Sequence, residues 1–99
     1  MLNITKKQDG EKLESTLEGR LDTTTAPQLE AVMKETLDQV TELTLDFEKL
    51  EYISSAGLRV LLSAQKLMSK KGGMKLIHVG DLIKEIFEVT GFCDILTIE

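Results

Sequence analysis

Leu43-Thr44-Leu45-Asp46-Phe47 is followed a few residues later by Tyr52-Ile53-Ser54-Ser55-Ala56-Gly57-Leu58-Arg59-Val60-Leu61, and between the two the hydrophobic pattern changes its period. Leu43, Leu45 and Phe47 alternate with Thr44, Asp46 and Glu48, the two-residue repeat of a half-buried strand. Beyond the serines, Val60, Leu61, Ala64, Leu67 and Met68 fall on one face of a helix, and Arg59, Ser63, Lys66 and Lys70 fall on the other. This spacing predicts a helix from about Ala56 to Lys70, ended by Gly72-Gly73, with Met74 to Val79 as the next strand. Leu58 and Leu62 lie on the flank between the two faces. Packing against another helix is the ordinary fate of such residues; exposed, they would be apolar anchors for a partner. A strand–helix–strand unit of this kind implies parallel pairing with a right-handed crossover.

The same units continue outward. On the N-terminal side, Leu2 and Ile4, then Leu13 and Leu17, mark two strands joined by Gln8-Asp9-Gly10-Glu11, whose Asp-Gly pair suits a tight hairpin. The second strand is expected to end at Gly19. Thr25 with Gln28 three residues on fits a capping box, and Pro27 is tolerated in a first helical turn. Leu29, Val32, Met33, Leu37 and Val40 give that helix its apolar stripe. On the C-terminal side, Leu82, Ile83, Ile86 and Phe87 mark a third helix that Gly91 ends, and Asp94 to Ile98 can form a last strand. The element order is ββαβαβαβ. The fold class is α/β, a single domain over residues 1–99 with a mixed, mostly parallel sheet of about five strands and three helices.

Composition limits what such a domain can do. In 99 residues the net charge is −5, which disfavours the phosphate neutralisation that nucleic-acid binding requires. Met1 to Lys7 lacks the apolar run of a signal peptide, and no stretch approaches the ~18 apolar residues of a membrane span. The single Cys93 has no partner for an internal disulfide and reads as a small, partly buried thiol. A cytoplasmic protein, monomeric when free, is expected.

Catalytic signals are sparse. His78, the only histidine, falls within the strand expected from Met74 to Val79 and reads as a structural or surface residue. No group of ligands stands at metal-binding motif spacing, so neither a metal nor another cofactor is expected. What remains is Ser54-Ser55-Ala56-Gly57 at the mouth of the second helix. A serine there can cap free backbone N–H groups, a purely structural role. It can also accept a phosphate, whose negative charge the helix N-terminus tolerates but a partner packed on the same spot need not. Arg59, one turn after Ser55, can pair with a phosphate or with a partner's carboxylate, or can simply be solvated.

Three segments in order resemble the STAS domain family, and in particular its anti-sigma factor antagonists. They are Leu17-Glu18-Gly19-Arg20-Leu21-Asp22, Leu43-Thr44-Leu45-Asp46-Phe47 and Tyr52-Ile53-Ser54-Ser55-Ala56-Gly57-Leu58; the closing Leu82 to Phe92 segment, with Thr90-Gly91-Phe92 at its end, also matches in character. The resemblance implies a protein that is a ligand and a kinase substrate, not an enzyme. Unphosphorylated, it would bind an anti-sigma factor with serine kinase activity and release a sigma factor; a serine phosphatase would reverse the modification. Carried onto this chain, Ser55 is the acceptor and Ser54 the second choice. The partner surface would comprise Asp22, Thr23, Ser54 and Ala56. Gly57, Leu58, Arg59 and Leu62 would complete it. Regulated members read Asp-Ser-Ser-Gly or Asp-Ser-Thr-Gly; here Ser54 holds the acid's position and Ala56 replaces the second hydroxyl residue. The alternative is an unphosphorylated STAS subunit of a constitutive assembly such as a transporter complex.

Overall fold

The structure, a computed structural model, describes residues 2–99. Strands β1 (Leu2–Asp9) and β2 (Lys12–Leu21) form the expected hairpin, turned at Gly10 with φ of 63°. Helix α1 (Ala26–Thr36) leads to β3 (Glu42–Ile53), α2 (Ser55–Met68) to β4 (Met74–Ile77), and α3 (Asp81–Thr90) to a short β5 (Thr97–Ile98). The sheet order is β1-β2-β3-β4-β5, antiparallel at the hairpin and parallel elsewhere. The architecture is therefore the mixed five-stranded sheet with three helices expected from the periodicities.

Because the strand order is sequential, crossovers of one hand place the helices on one face of the sheet. Burial agrees: Leu13, Leu17, Leu43, Leu45, Phe47 and Leu76 are buried, whereas Glu14, Thr16, Thr44 and Asp46, pointing the other way, remain partly open. Phe87 of α3 covers Phe47 of β3, with ring centroids 6.3 Å apart. Among the described residues, no helix is long and apolar enough to cross a membrane.

Strand β3 is longer than its alternating stretch suggested. Its buried residues are Leu43, Leu45 and Phe47, then Leu50 and Ile53, so the spacing lengthens from two to three. The pairing with β2 shows why: the register shifts between Thr16 and Glu18 and again between Gly19 and Arg20. Each shift gives β3 an extra residue, a bulge that breaks the two-residue repeat without ending the strand. Strand β2 likewise runs past Gly19 to Leu21.

Other expectations are corrected. Thr25 adopts helical angles and makes no capping hydrogen bond to α1; its hydroxyl accepts from the Asp22 N–H and donates to the Arg20 carbonyl, each at 2.8 Å. The Gln28 amide instead reaches the Leu2 carbonyl at 3.0 Å. Helix α2 begins at Ser55 and ends at Met68, and Leu67 is 49% exposed, outside the core. Strand β4 stops at Ile77, so His78 follows it, in a left-handed turn with φ of 56°. Cys93 is exposed, and a 3-10 turn (Phe92–Asp94) occupies the start of the expected last strand.

Candidate functional site

The site forms where β2 and β3 end side by side. Arg20 pairs with Tyr52 and Leu21 with Ile53, and the Ser54 N–H extends the ladder to the Leu21 carbonyl at 2.8 Å. Asp22 and Ser54 therefore leave the sheet as neighbours, each entering a turn that opens a helix. Adjacent carboxyl ends of parallel strands are where open α/β sheets commonly place their binding surfaces.

The Asp22 turn is held by its own side chain. Asp22 Oδ1 accepts from the Thr24 hydroxyl at 2.7 Å, the Thr24 N–H at 3.0 Å and the Thr25 N–H at 3.1 Å. The Thr24 hydroxyl is the main reason that the carboxyl titrates below its ordinary value, with the two N–H groups adding to it against a desolvation that opposes. Asp22 Oδ2 faces the Arg20 Nε at 3.9 Å, and the Arg20 guanidinium lies over the Tyr52 ring at 4.5 Å. Thr23 at the tip of this turn is exposed.

The Ser54 turn divides two roles between two serines. Ser54 is extended, with φ of −98° and ψ of 175°, and its Oγ accepts from the Gly57 N–H at 3.4 Å, a long N-terminal cap. Ser55 is the first helical residue and is exposed; among the described residues no hydrogen bond engages its hydroxyl. Ala56 is half-buried. Gly57 is buried: a Cβ there would lie 2.7 Å from Leu21 Cγ and 3.0 Å from Ile53 Cγ1. The small residue thus seats α2 on the strand ends of its own chain. Arg59 is exposed, with no carboxylate in ion-pair range among the described residues.

Ala56, the residue after Ser55, lines a groove of about 380 Å³, with Arg59 and Ser63 beside it on the α2 side and Thr23, Pro27 and Glu30 on the α1 side. The structure thus brings Asp22, Thr23, Ser54, Ser55, Ala56 and Arg59 to one surface. Leu58 is only 6% exposed and belongs to the core, so it is not an exposed anchor; Leu62 is half-buried. Arg20, Tyr52, Thr24, Pro27 and Glu30 were not singled out from the sequence as residues of the site. Their signal is the β2–β3 register, which the bulges obscure.

The sequence model of the family described as "Mlab, STAS domain" matches residues 4–97. The chain is 38% identical over 84 residues to BtrV of Bordetella bronchiseptica, covering 83% of this chain and 72% of that protein. It is 28% identical over 98 residues to the anti-sigma-B factor antagonist of Bacillus subtilis strain 168, covering 98% and 90% respectively. Among solved structures it resembles the Bacillus cell fate determinant SpoIIAA in its phosphorylated form, with a TM-score of 0.76 at 19% identity, covering 98% of this chain and 91% of that one. The fold, the strand-end surface and these similarities together mean that the chain belongs to the STAS domain family.

Proposed function

We propose that this protein is an anti-sigma factor antagonist, a binding switch whose affinity for its partner is set by phosphorylation of Ser55. The observation that carries this reading is the exposed Ser55 hydroxyl, without a hydrogen-bond partner among the described residues, at the first position of α2, one residue after Ser54 leaves the sheet beside the Leu21–Asp22 strand end. A phosphate there adds about −1.5 to −2 charges next to the positive end of the helix dipole. Arg59, one helical turn on, carries a guanidinium that can pair with the phosphate. The modification is therefore compatible with the folded chain, while it places charge and bulk on the surface a partner must cover. Ser54 is the less suited acceptor, since its hydroxyl already caps the helix.

In this role the unmodified protein, acting in the cytoplasm as a monomer, sequesters an anti-sigma factor with serine kinase activity and so frees a sigma factor. A serine phosphatase resets it. The contact surface comprises Asp22, Thr23, Ser54, Ser55, Ala56 and Arg59, with Leu62 at its margin and with Gly57 and Leu58 supporting it from within. Ala56, in place of a second hydroxyl residue, favours the alternative of an unmodified STAS subunit in a constitutive assembly such as a transporter complex.

Peptide-mapped mass spectrometry after incubation with ATP and an extract of the source organism separates the two. One phosphate on Ser55, absent from Ser55→Ala, supports the switch. No phosphate, in an extract whose kinases modify a control substrate, supports the constitutive subunit, and a phosphate on Ser54 moves the switch by one residue.

A further inference from the structure

On the sheet face opposite the helices, three side chains from two separate parts of the sequence converge. Asp46 and Glu48 project from β3, and His78 follows β4, whose Ile77 pairs with Asp46. The left-handed turn at His78 brings its ring against β3, with Nδ1 3.0 Å from Asp46 Oδ1. One ligand atom from each of Asp46, Glu48 and His78 lies within 4.8 Å of the other two. We propose that these three residues form a binding site for a divalent transition-metal ion, with one imidazole nitrogen and two carboxylate oxygens as ligands.

The donor set fits that class of ion. An imidazole with carboxylates suits zinc or nickel better than magnesium, which favours oxygen alone. Zinc ligands stand at ~2.0–2.2 Å from the ion, so the present spread must contract. The exposed Glu48 can supply that movement, because Asp46 is fixed. The Asp46 side chain is only 16% exposed, and its Oδ1 also accepts the Glu48 N–H at 3.0 Å. In the ion-free form the His78 nitrogen rests on Asp46; an ion would insert between them and replace that hydrogen bond. The two carboxylates offset the ion's charge, and solvent completes its coordination. Such a bound ion would tie β3 to the connection between β4 and α3, on the opposite side of the sheet from the helices. The sequence did not reveal the site because Asp46 and His78 are 32 positions apart and no spacing motif joins them.

Isothermal titration of tag-free, EDTA-treated protein with zinc chloride tests the site, with His78→Asn, Asp46→Asn and Cys93→Ser titrated in parallel. Asparagine tolerates the left-handed backbone at position 78, so His78→Asn removes the ligand without straining the turn. Cys93→Ser removes the exposed thiol, the competing soft ligand. The expected result is one equivalent of zinc in the micromolar range for wild type and Cys93→Ser, weakened at least about tenfold in His78→Asn and in Asp46→Asn. Amide shifts in wild type should centre on residues 46, 48 and 78. Absence of heat and shifts at millimolar zinc would overturn the site, as would binding unchanged in His78→Asn or lost in Cys93→Ser. If Asp46→Asn is unfolded by circular dichroism, Glu48→Gln, altered at an exposed position, takes its place under the same criterion.

Discussion

Replacing Gly57 by alanine should destabilise the fold although alanine is the better helix former. The added Cβ would stand 2.7 Å from Leu21 Cγ and 3.0 Å from both Leu21 Cδ2 and Ile53 Cγ1, against ordinary carbon contacts of ~3.5–4.0 Å. Neither neighbour has room to move: Leu21 is 0% and Ile53 2% exposed, both in the closing rungs of the β2–β3 ladder. Overpacking of this kind costs ~1–3 kcal/mol. Alanine's advantage over glycine is ~1 kcal/mol in a helix interior and less in a first turn, so it offsets only part of the loss. With about 0.5 kcal/mol regained in the first turn, the expected net is about 0.5–2.5 kcal/mol, or a melting temperature lower by roughly 2–20 °C in a domain of this size. Denaturant melts of Gly57→Ala, Leu21→Ala and the double variant isolate the clash. With Leu21 truncated the two Leu21 contacts are gone and only Ile53 Cγ1 at 3.0 Å remains, so the two changes should couple by about 1–2 kcal/mol. A neutral or stabilising Gly57→Ala, or the same cost with and without Leu21, would show that the helix is not seated as described.

Other perturbations bear on the surface itself. Ser55→Glu should weaken partner binding at least about tenfold while leaving cooperative melting nearly unchanged, since the charge sits at an exposed helix N-terminus; equal affinity in a titration with the partner would count against the interface. Leu58→Glu should unfold the protein, because it places an unpaired charge at a position 6% exposed; a folded Leu58→Glu with lost binding would return Leu58 to the contact surface. Asp22 titrates below its ordinary 3.8 in the folded state, so its contribution is complete above that value and is lost as the pH falls below it through the folded value. The gap in melting temperature between wild type and Asp22→Asn should accordingly be flat from neutral pH down to about 4 and close below it; a gap independent of pH would mean the Asp22 charge is not what the Thr24 and Thr25 donors stabilise.

The fold was legible in the sequence where one hydrophobic period ran uninterrupted. The hairpin, the three helices and the first half of β3 all had that property. The second half of β3 did not, because two bulges changed the spacing of Leu50 and Ile53, and with it went the alignment of Arg20 with Tyr52. The site was legible as a local segment, the serines at the mouth of α2, but not as a surface. That Asp22 emerges beside Ser54 depends on strand register. That Thr25 turns back to the strand end and not forward to α1 depends on the Asp22 turn. Helical spacing placed Leu58 on a flank, and only the packing of the helices determined that the flank is inside. Leu67 fell outside the core for the converse reason: it has the right phase but is left 49% exposed.

The switch is tested most directly by titrating the source organism's anti-sigma factor with three forms of the protein: unmodified, phosphorylated on Ser55, and Ser55→Ala. The unmodified protein and Ser55→Ala should bind with similar affinity, and the phosphorylated form should bind at least about tenfold more weakly while melting as cooperatively as the others. Equal binding of the phosphorylated and unmodified forms, or no binding by any of the three, would contradict a partner surface centred on the mouth of α2.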